Sequence, residues 1–224
     1  MSKFTAIVLS GGTGKRMNSD IPKQYLMLKD KPVLAHSLLA FENSCVDAVV
    51  IVCGAGDEKY IKKEFVEKYS LKKVAAIVEG GAERYNSVYN GLLACKDADY
   101  VLIHDGARPY VSADIIRRNM EEVVKYNAVV TSVKATDTVK IADDDGFVVS
   151  TPERKSVYFM QTPQTFEYAL ALNSYSKLID ELGKGIGVQV TDDAQVVEMY
   201  SDTRVKLIEG DYSNIKITVP KDLQ

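Results

Sequence analysis

The segment Ser10-Gly11-Gly12-Thr13-Gly14-Lys15-Arg16-Met17 directly follows an apolar run, Phe4–Leu9. Glycines at the carboxyl end of a strand let backbone N–H groups come close to a phosphate or a base. The adjoining Lys15 and Arg16 tilt such a loop toward an anion. It is not a Walker A loop, because no Gly-Lys-Ser/Thr follows a four-residue gap, and it lacks the third glycine of the dinucleotide fingerprint. Lys23, in Ile21-Pro22-Lys23-Gln24-Tyr25, follows a proline that fixes the local backbone, and offers a second cationic contact to a polyphosphate. Gly80-Gly81, followed by Arg84 and Ser87, repeats the pattern of a glycine turn between strand and helix. Asp105, in His104-Asp105-Gly106-Ala107-Arg108-Pro109, leaves another apolar run. An aspartate there is a common Mg²⁺ ligand where phosphates are handled, and an Asp–Arg pair tying the loop reads equally well. His104 reads as a satisfied near-core histidine rather than a metal ligand or base. Further along, Thr138, Arg154, Thr162, Thr191 and Lys216 sit at element ends with groups suited to a phosphate, although Thr191-Asp192 is also a plain helix cap. No GxSxG, HExxH or CxxC occurs, so serine-hydrolase, zincin and dithiol chemistries have no support.

The elements that must position these residues alternate. Phe4–Leu9, Ala48–Cys53, Val74–Val78, Tyr100–His104 and Ala128–Ser132 are nearly continuously apolar, as strands covered on both faces are. Between them, Leu34, Leu38 and Phe41 after Pro32, and Ile116, Met120 and Val123 after the capping candidate Ser112, repeat at helical spacing. Another helix is expected through Asn86–Cys95. This βαβ rhythm predicts a three-layer α/β fold with a mainly parallel sheet. From 133 to 160 it breaks into two short alternating runs around the acidic turn Asp143-Asp144-Asp145-Gly146, read as a projecting β-arm that lies on the main sheet or against another subunit. Helices return at Glu167–Leu182 and Asp192–Tyr200, with Asp192 and Gln195 spaced as a capping pair. Val205–Glu209 and Asn214–Val219 are expected as final strands. Residues 1–224 read as a single domain bearing one arm.

A chain of 224 residues buries roughly 70–75% of its unfolded surface and needs no metal or disulfide staple. With 28 basic and 31 acidic residues the net charge is −3, which excludes a surface built to neutralise nucleic-acid phosphates. Anion binding must therefore come from local clusters. No apolar run approaches the roughly 18 residues of a membrane span, and the N-terminal run is too short for a signal peptide. Cys45, Cys53 and Cys95 are expected as buried thiols in a reducing cytoplasm, and with only His36 and His104 besides, no zinc site is expected.

Taken in order from Ala6 to Leu223, these segments resemble the 2-C-methyl-D-erythritol 4-phosphate cytidylyltransferases of the non-mevalonate isoprenoid pathway. The resemblance is carried by Gly14-Lys15-Arg16-Met17, Pro22-Lys23-Gln24-Tyr25-Leu26, Gly80-Gly81 with Arg84 and Ser87-Val88, and His104-Asp105 with Ala107-Arg108-Pro109. It continues through Asp137-Thr138-Val139-Lys140, Thr162-Pro163-Gln164, Thr191-Asp192-Asp193-Ala194 and Asn214-Ile215-Lys216-Ile217-Thr218. The chain departs from the family at Gly106, often alanine in relatives, and it stops at Gln224, where relatives usually continue into a final helix. The resemblance implies a Rossmann-like nucleotidyltransferase fold, usually homodimeric through the arm. The implied reaction joins CTP to a sugar-alcohol phosphate with Mg²⁺ and releases pyrophosphate. By match to the family's motifs, Gly11, Gly12, Gly14, Gly81 and Ser87 would hold the cytidine nucleotide. Arg16, Lys23 and Lys216 would surround the α-phosphate. Asp105, Arg108, Thr138, Thr162 and Thr191 would line the acceptor side, and Arg154 would reach into the partner's site. Asp105 is also the candidate metal ligand. The ribitol 5-phosphate cytidylyltransferases share Pro-Lys-Gln and Thr-Pro-Gln, but Thr191-Asp192-Asp193-Ala194 and Ser87-Val88 favour the methylerythritol acceptor. A non-catalytic nucleotide-binding module is the third reading; the retention of Arg16, Lys23, Asp105 and Lys216 speaks against it.

Overall fold

In the computed structural model, which describes residues 2–12 and 21–223, the apolar runs form one seven-stranded sheet. Strand β1 (Phe4–Leu9) lies inside it and is followed by a small ribbon, β2 (Met27–Leu28) with β3 (Lys31–Pro32). Parallel to β1 run β4 (Ala48–Cys53) on one side and β6 (Tyr100–Asp105) on the other. Beyond β4 lies β5 (Val74–Glu79), also parallel. Beyond β6, past β7 (Ala128–Lys134) in chain order, comes a second ribbon, β8 (Ile141–Ala142) with β9 (Val148–Ser150). The long β10 (Tyr158–Glu167) pairs antiparallel with both β6 and β7, and β11 (Lys206–Glu209) closes the edge parallel to β7.

The strands are apolar on both faces because both faces are covered. Ala6, Val8, Val49 and Ile51 point to one side, where they meet α1 (Val33–Glu42), α2 (Glu58–Ile61) and α4 (Ala113–Tyr126). Ile7, Val50, Val52 and Ile103 point to the other, against α3 (Arg84–Leu93), α5 (Tyr168–Gly183) and α6 (Asp193–Tyr200). The period of two along each strand thus sorts one apolar run into two cores. Ser112 caps α4 by accepting from the Ile115 N–H, and Asn127, at φ 62°, ends it in the left-handed conformation that asparagine tolerates.

The chain runs from β1 outward to β4 and β5, then returns to β6 on the other side of β1. Where the strand order reverses, the two neighbouring connections leave in opposite directions and open a crevice at the carboxyl ends of β1 and β6. Leu9 and Asp105, the last residues of these strands, are register partners at its floor.

Several expectations change. Residues 158–167, not expected as a strand, form β10 although Pro163, which cannot donate to a ladder, sits inside it. The chain accommodates that proline with a register shift between Met160 and Gln164. Val133 and Lys134 pair with Phe159 and Tyr158 inside the main sheet, so the projecting arm begins and ends within the expected 133–160. Residues 214–219 form no strand; they cross the end of the sheet as irregular chain, held by Ile217 N–H to the Ala107 carbonyl at 2.8 Å. Cys53 and Cys95 are buried, but Cys45 is exposed. Among the described residues, no helix is long and apolar enough to cross a membrane.

Candidate active site

The glycine segment after β1 is held from behind. Gln24, almost fully buried, donates its amide to the carbonyls of Ser10 (2.5 Å) and Gly12 (3.0 Å), and the Ser10 hydroxyl donates to Val52 O at 3.0 Å. With the carbonyls engaged on that side, the exposed edge of Gly11 and Gly12 faces a hollow. An added Cβ on Gly11 would lie 3.1 Å from the Cys53 carbonyl oxygen, so the loop's approach to β4 suits glycine. Lys23, in the 3₁₀ turn Lys23–Tyr25, donates to the Ile217 carbonyl at 2.9 Å and lines the same hollow. Tyr25 pins that turn to the next crossover through Asp57 (2.9 Å).

Across the hollow stands Asp105, whose buried side chain faces three cations. Lys216 Nζ lies 2.8 Å from Oδ2, Arg84 Nε 3.5 Å from Oδ1, and Arg108 Nε 3.9 Å from Oδ2. Burial alone would raise the carboxyl's pKa. The pull of Arg84, then of Lys216 and its hydrogen bond, then of Arg108, overrides burial and holds it far below the usual carboxylate range. The carboxylate is therefore ionised at any pH at which the protein works. Arg84 in turn makes a bidentate pair with Asp193, both N–O distances being 2.7 Å. Arg108 spends its terminal nitrogens on the carbonyls of Asn214 (2.7 Å) and Met160 (3.3 Å), which ties the loop carrying Lys216 to β10.

Behind Asp105 a hydrogen-bond chain assigns its own directions. His104 Nε2 meets the Arg108 carbonyl (3.2 Å), which can only accept, so Nε2 carries the proton and Nδ1 is an acceptor. Thr162 must then donate to Nδ1 (3.0 Å) while its oxygen accepts the Asp105 N–H (3.1 Å). An added Cβ at Gly106 would lie 2.8 Å from both the Leu9 carbonyl oxygen and Leu34 Cδ1, so this turn is packed around glycine.

Of the residues singled out in the sequence, Gly11, Gly12, Lys23, Gly81, Ser87, Asp105 and Lys216 border one hollow. Thr162 and Arg108 support its floor from behind. Thr191 is exposed and donates its hydroxyl to the Gln195 side-chain oxygen at 3.0 Å, beside Asp192, which caps α6 by accepting the Gln195 N–H. Thr138 and Arg154 are exposed on the arm, where Arg154 donates to the Thr136 carbonyl at 3.2 Å. Gly14 and Arg16 lie outside the described residues. Gln24, Arg84 and Asp193 also belong to the site although no sequence signal assigns them a role; each acts on a partner outside its own segment, which spacing does not reveal.

Comparison with known proteins follows the same line. The family model described as "IspD: 2-C-methyl-D-erythritol 4-phosphate cytidylyltransferase" matches residues 4–224. A 2-C-methyl-D-erythritol 4-phosphate cytidylyltransferase from Lachnoclostridium phytofermentans is 49% identical over 223 residues, covering 100% of this chain and 94% of that protein. One from Alkaliphilus oremlandii is 43% identical over 225 residues, covering 100% and 93%. The crystal structure of 4-diphosphocytidyl-2C-methyl-D-erythritol synthase from Anaerococcus prevotii superposes with a TM-score of 0.86 at 35% identity, covering 99% of this chain and 93% of that one.

The buried imidazole sets a pH dependence. Burial, outweighing the opposing pull of Asp105, pushes the His104 pKa from 6.5 down to about 4. Between those values the unfolded chain binds the proton and the folded chain does not, so stability declines as pH falls from about 6.5 toward about 4. The loss is on the order of 3 kcal/mol, and it levels off below that window. Urea unfolding in pH steps should show this slope in the wild type and its removal in His104→Gln. The same slope in both proteins would place its source elsewhere.

Proposed function

The chain belongs to the 2-C-methyl-D-erythritol 4-phosphate cytidylyltransferase family, and on that premise we propose that it joins CTP to 2-C-methyl-D-erythritol 4-phosphate, giving the CDP-methylerythritol product and pyrophosphate. The observation that carries the reading is the meeting of Lys23, Lys216 and Asp105 with the glycine backbones around one hollow. The acceptor is a phosphate monoester with a second pKa of about 6, so it arrives mostly dianionic and needs no general base. Its oxygen attacks the α-phosphorus of CTP, the bond to the β-phosphate oxygen breaks, and the electron pair departs with pyrophosphate. The obstacle is the meeting of two polyanions and the charge that builds on the α-phosphoryl oxygens. Cations held in place before the substrates arrive lower both costs.

In this reading Gly11, Gly12, Gly14, Gly81 and Ser87 hold the cytidine nucleotide, and Arg16, Lys23 and Lys216 surround the α-phosphate. Asp105 and Thr191 face the acceptor, with Arg108 and Thr162 fixing the Asp105 turn. Among the described residues no cluster of three His, Cys, Asp or Glu side chains could cage a metal ion. A Mg²⁺ would be carried mainly by the triphosphate, and Asp105, whose oxygens face Lys216 and Arg84, would offer it one hard oxygen once Lys216 turned to a phosphate. When bound, the ion supplies Lewis-acid neutralisation of phosphate charge. The arm supports a homodimer in which Thr138 and Arg154 serve the partner's site, because Ile141, Phe147, Val148 and Val149 are all more than half exposed on it. A reducing cytoplasm suits the three free thiols.

Pyrophosphate release from CTP and Mg²⁺ should require methylerythritol phosphate, and ribitol 5-phosphate in a parallel assay should support little turnover; preference for ribitol phosphate would overturn the acceptor. Lys23→Ala should lower kcat by about 10²–10³, the usual loss on removing one transition-state cation. Unchanged turnover would remove Lys23 from that role. Sedimentation at micromolar concentration should show a dimer, and Phe147→Asp should shift it toward monomer with loss of activity. A wild-type protein that is only monomeric would end the shared-site arrangement.

A further inference from the structure

We infer that Tyr175, Asp193 and Arg84 form a positioning chain that keeps Asp105 in place while Lys216 changes partner; this rests on the function proposed above. Asp105 is held at both oxygens, by Arg84 at Oδ1 and by Lys216 at Oδ2. The two cations differ in kind. Lys216 is a point charge on a flexible stem, and it borders the hollow, so an entering phosphate competes with Asp105 for it. Arg84 also borders the hollow, but its planar fork is already bound at two points to Asp193. A phosphate that draws Lys216 away from Oδ2 therefore leaves Arg84 where it was, still beside Oδ1.

Asp193 has the features of an anchor. It is fully buried, it is the first residue of α6, where unpaired backbone N–H groups favour a carboxylate, and its Oδ1 accepts the Tyr175 hydroxyl at 2.5 Å. Tyr175 is itself buried in α5, and burial followed by the neighbouring Asp193 pushes its pKa well above the ordinary value, so the hydroxyl keeps its proton and goes on donating. The chain thus runs from the helical layer of α5 and α6 through the start of α3 to the carboxyl end of β6. A tie between helices would need only Asp193 and a partner. The additional reach of Arg84 Nε to Asp105 links that tie to the hollow.

The test compares Asp193→Asn and Tyr175→Phe with Val197→Ala, a control that removes buried methyl groups from the same helix. In steady-state assays below the melting range, Asp193→Asn should lower kcat about 10–100-fold and Tyr175→Phe about 3–10-fold, with KM for CTP changed by less than about twofold. Val197→Ala should stay within about twofold in kcat even if it melts earlier. In parallel, the Arg84 Nε–H proton resonance, assigned by its loss in Arg84→Lys, should exchange slowly in the wild type and in Val197→Ala, and rapidly in Asp193→Asn. If Asp193→Asn does not fold, Tyr175→Phe carries both readouts. Kinetic losses that merely follow the melting temperature across all variants, or an Arg84 resonance equally protected in every one, would overturn the inference. A wild type without turnover would defeat the proposed activity instead, and the exchange measurement would still decide the positioning.

Discussion

A carboxylate at the end of a central strand, shielded from water, has to be compensated, and Asp105 is compensated three times over. An uncompensated charge there would cost several kcal/mol, which is a large part of a domain's net stability. The cations that prevent this come from the start of α3, from the turn after β6 and from the irregular segment near the C-terminus. Each brings its own stretch of backbone to the rim. Asp105 is in this sense the point on which the glycine turn at 80–81, the 105–108 turn and the Lys216 segment are registered against one another.

The charge count leaves the cluster suited to an anion. Arg84 is balanced by Asp193, Asp105 balances one of Lys216 and Arg108, and Glu83 also lines the hollow, so the positive excess rests on Lys23 together with the remaining cation. The whole chain carries −3, so this excess is a local arrangement and not a property of the surface at large. Rigid and movable cations are also divided. Arg84 and Arg108 are held by bidentate pairing or by two backbone carbonyls, and Lys23 by the Ile217 carbonyl, while Lys216 reaches Asp105 on a flexible stem at the border of the hollow. The neutral His104 fits the same division, since it carries no charge and serves to orient Thr162 and the backbone of Asp105.

Much of the architecture was legible from local pattern. Continuous apolar runs marked the parallel strands, Ser112 and Asp192 marked helix starts, and glycines following strands marked the rim. Where the pattern misled, a long-range contact had overruled a local preference. A proline cannot donate to a ladder, yet β10 forms around Pro163 because its flanks pair with β6 on one side and β7 on the other. Asn214–Val219 looked like a strand, yet Asn214 is buried and donates to the Thr162 carbonyl at 2.9 Å, which draws the segment across the sheet end instead of along it.

The amino-acid order by itself determined the parallel strands and the principal helices, which loops carry glycine and cation together, and the family resemblance that those loops spell out. Periodicity and capping act over a few residues, so they can be read directly. Only the tertiary structure decided that Lys23 would meet the Ile217 carbonyl, 194 positions away, and that Arg84 would clasp Asp193, 109 positions away. Such pairings depend on strand order and on how two helical layers settle against the sheet, and no spacing along the chain encodes them singly. The physical reason is that charges and hydrogen-bond donors choose their partners by distance in space, after burial has fixed where the elements lie.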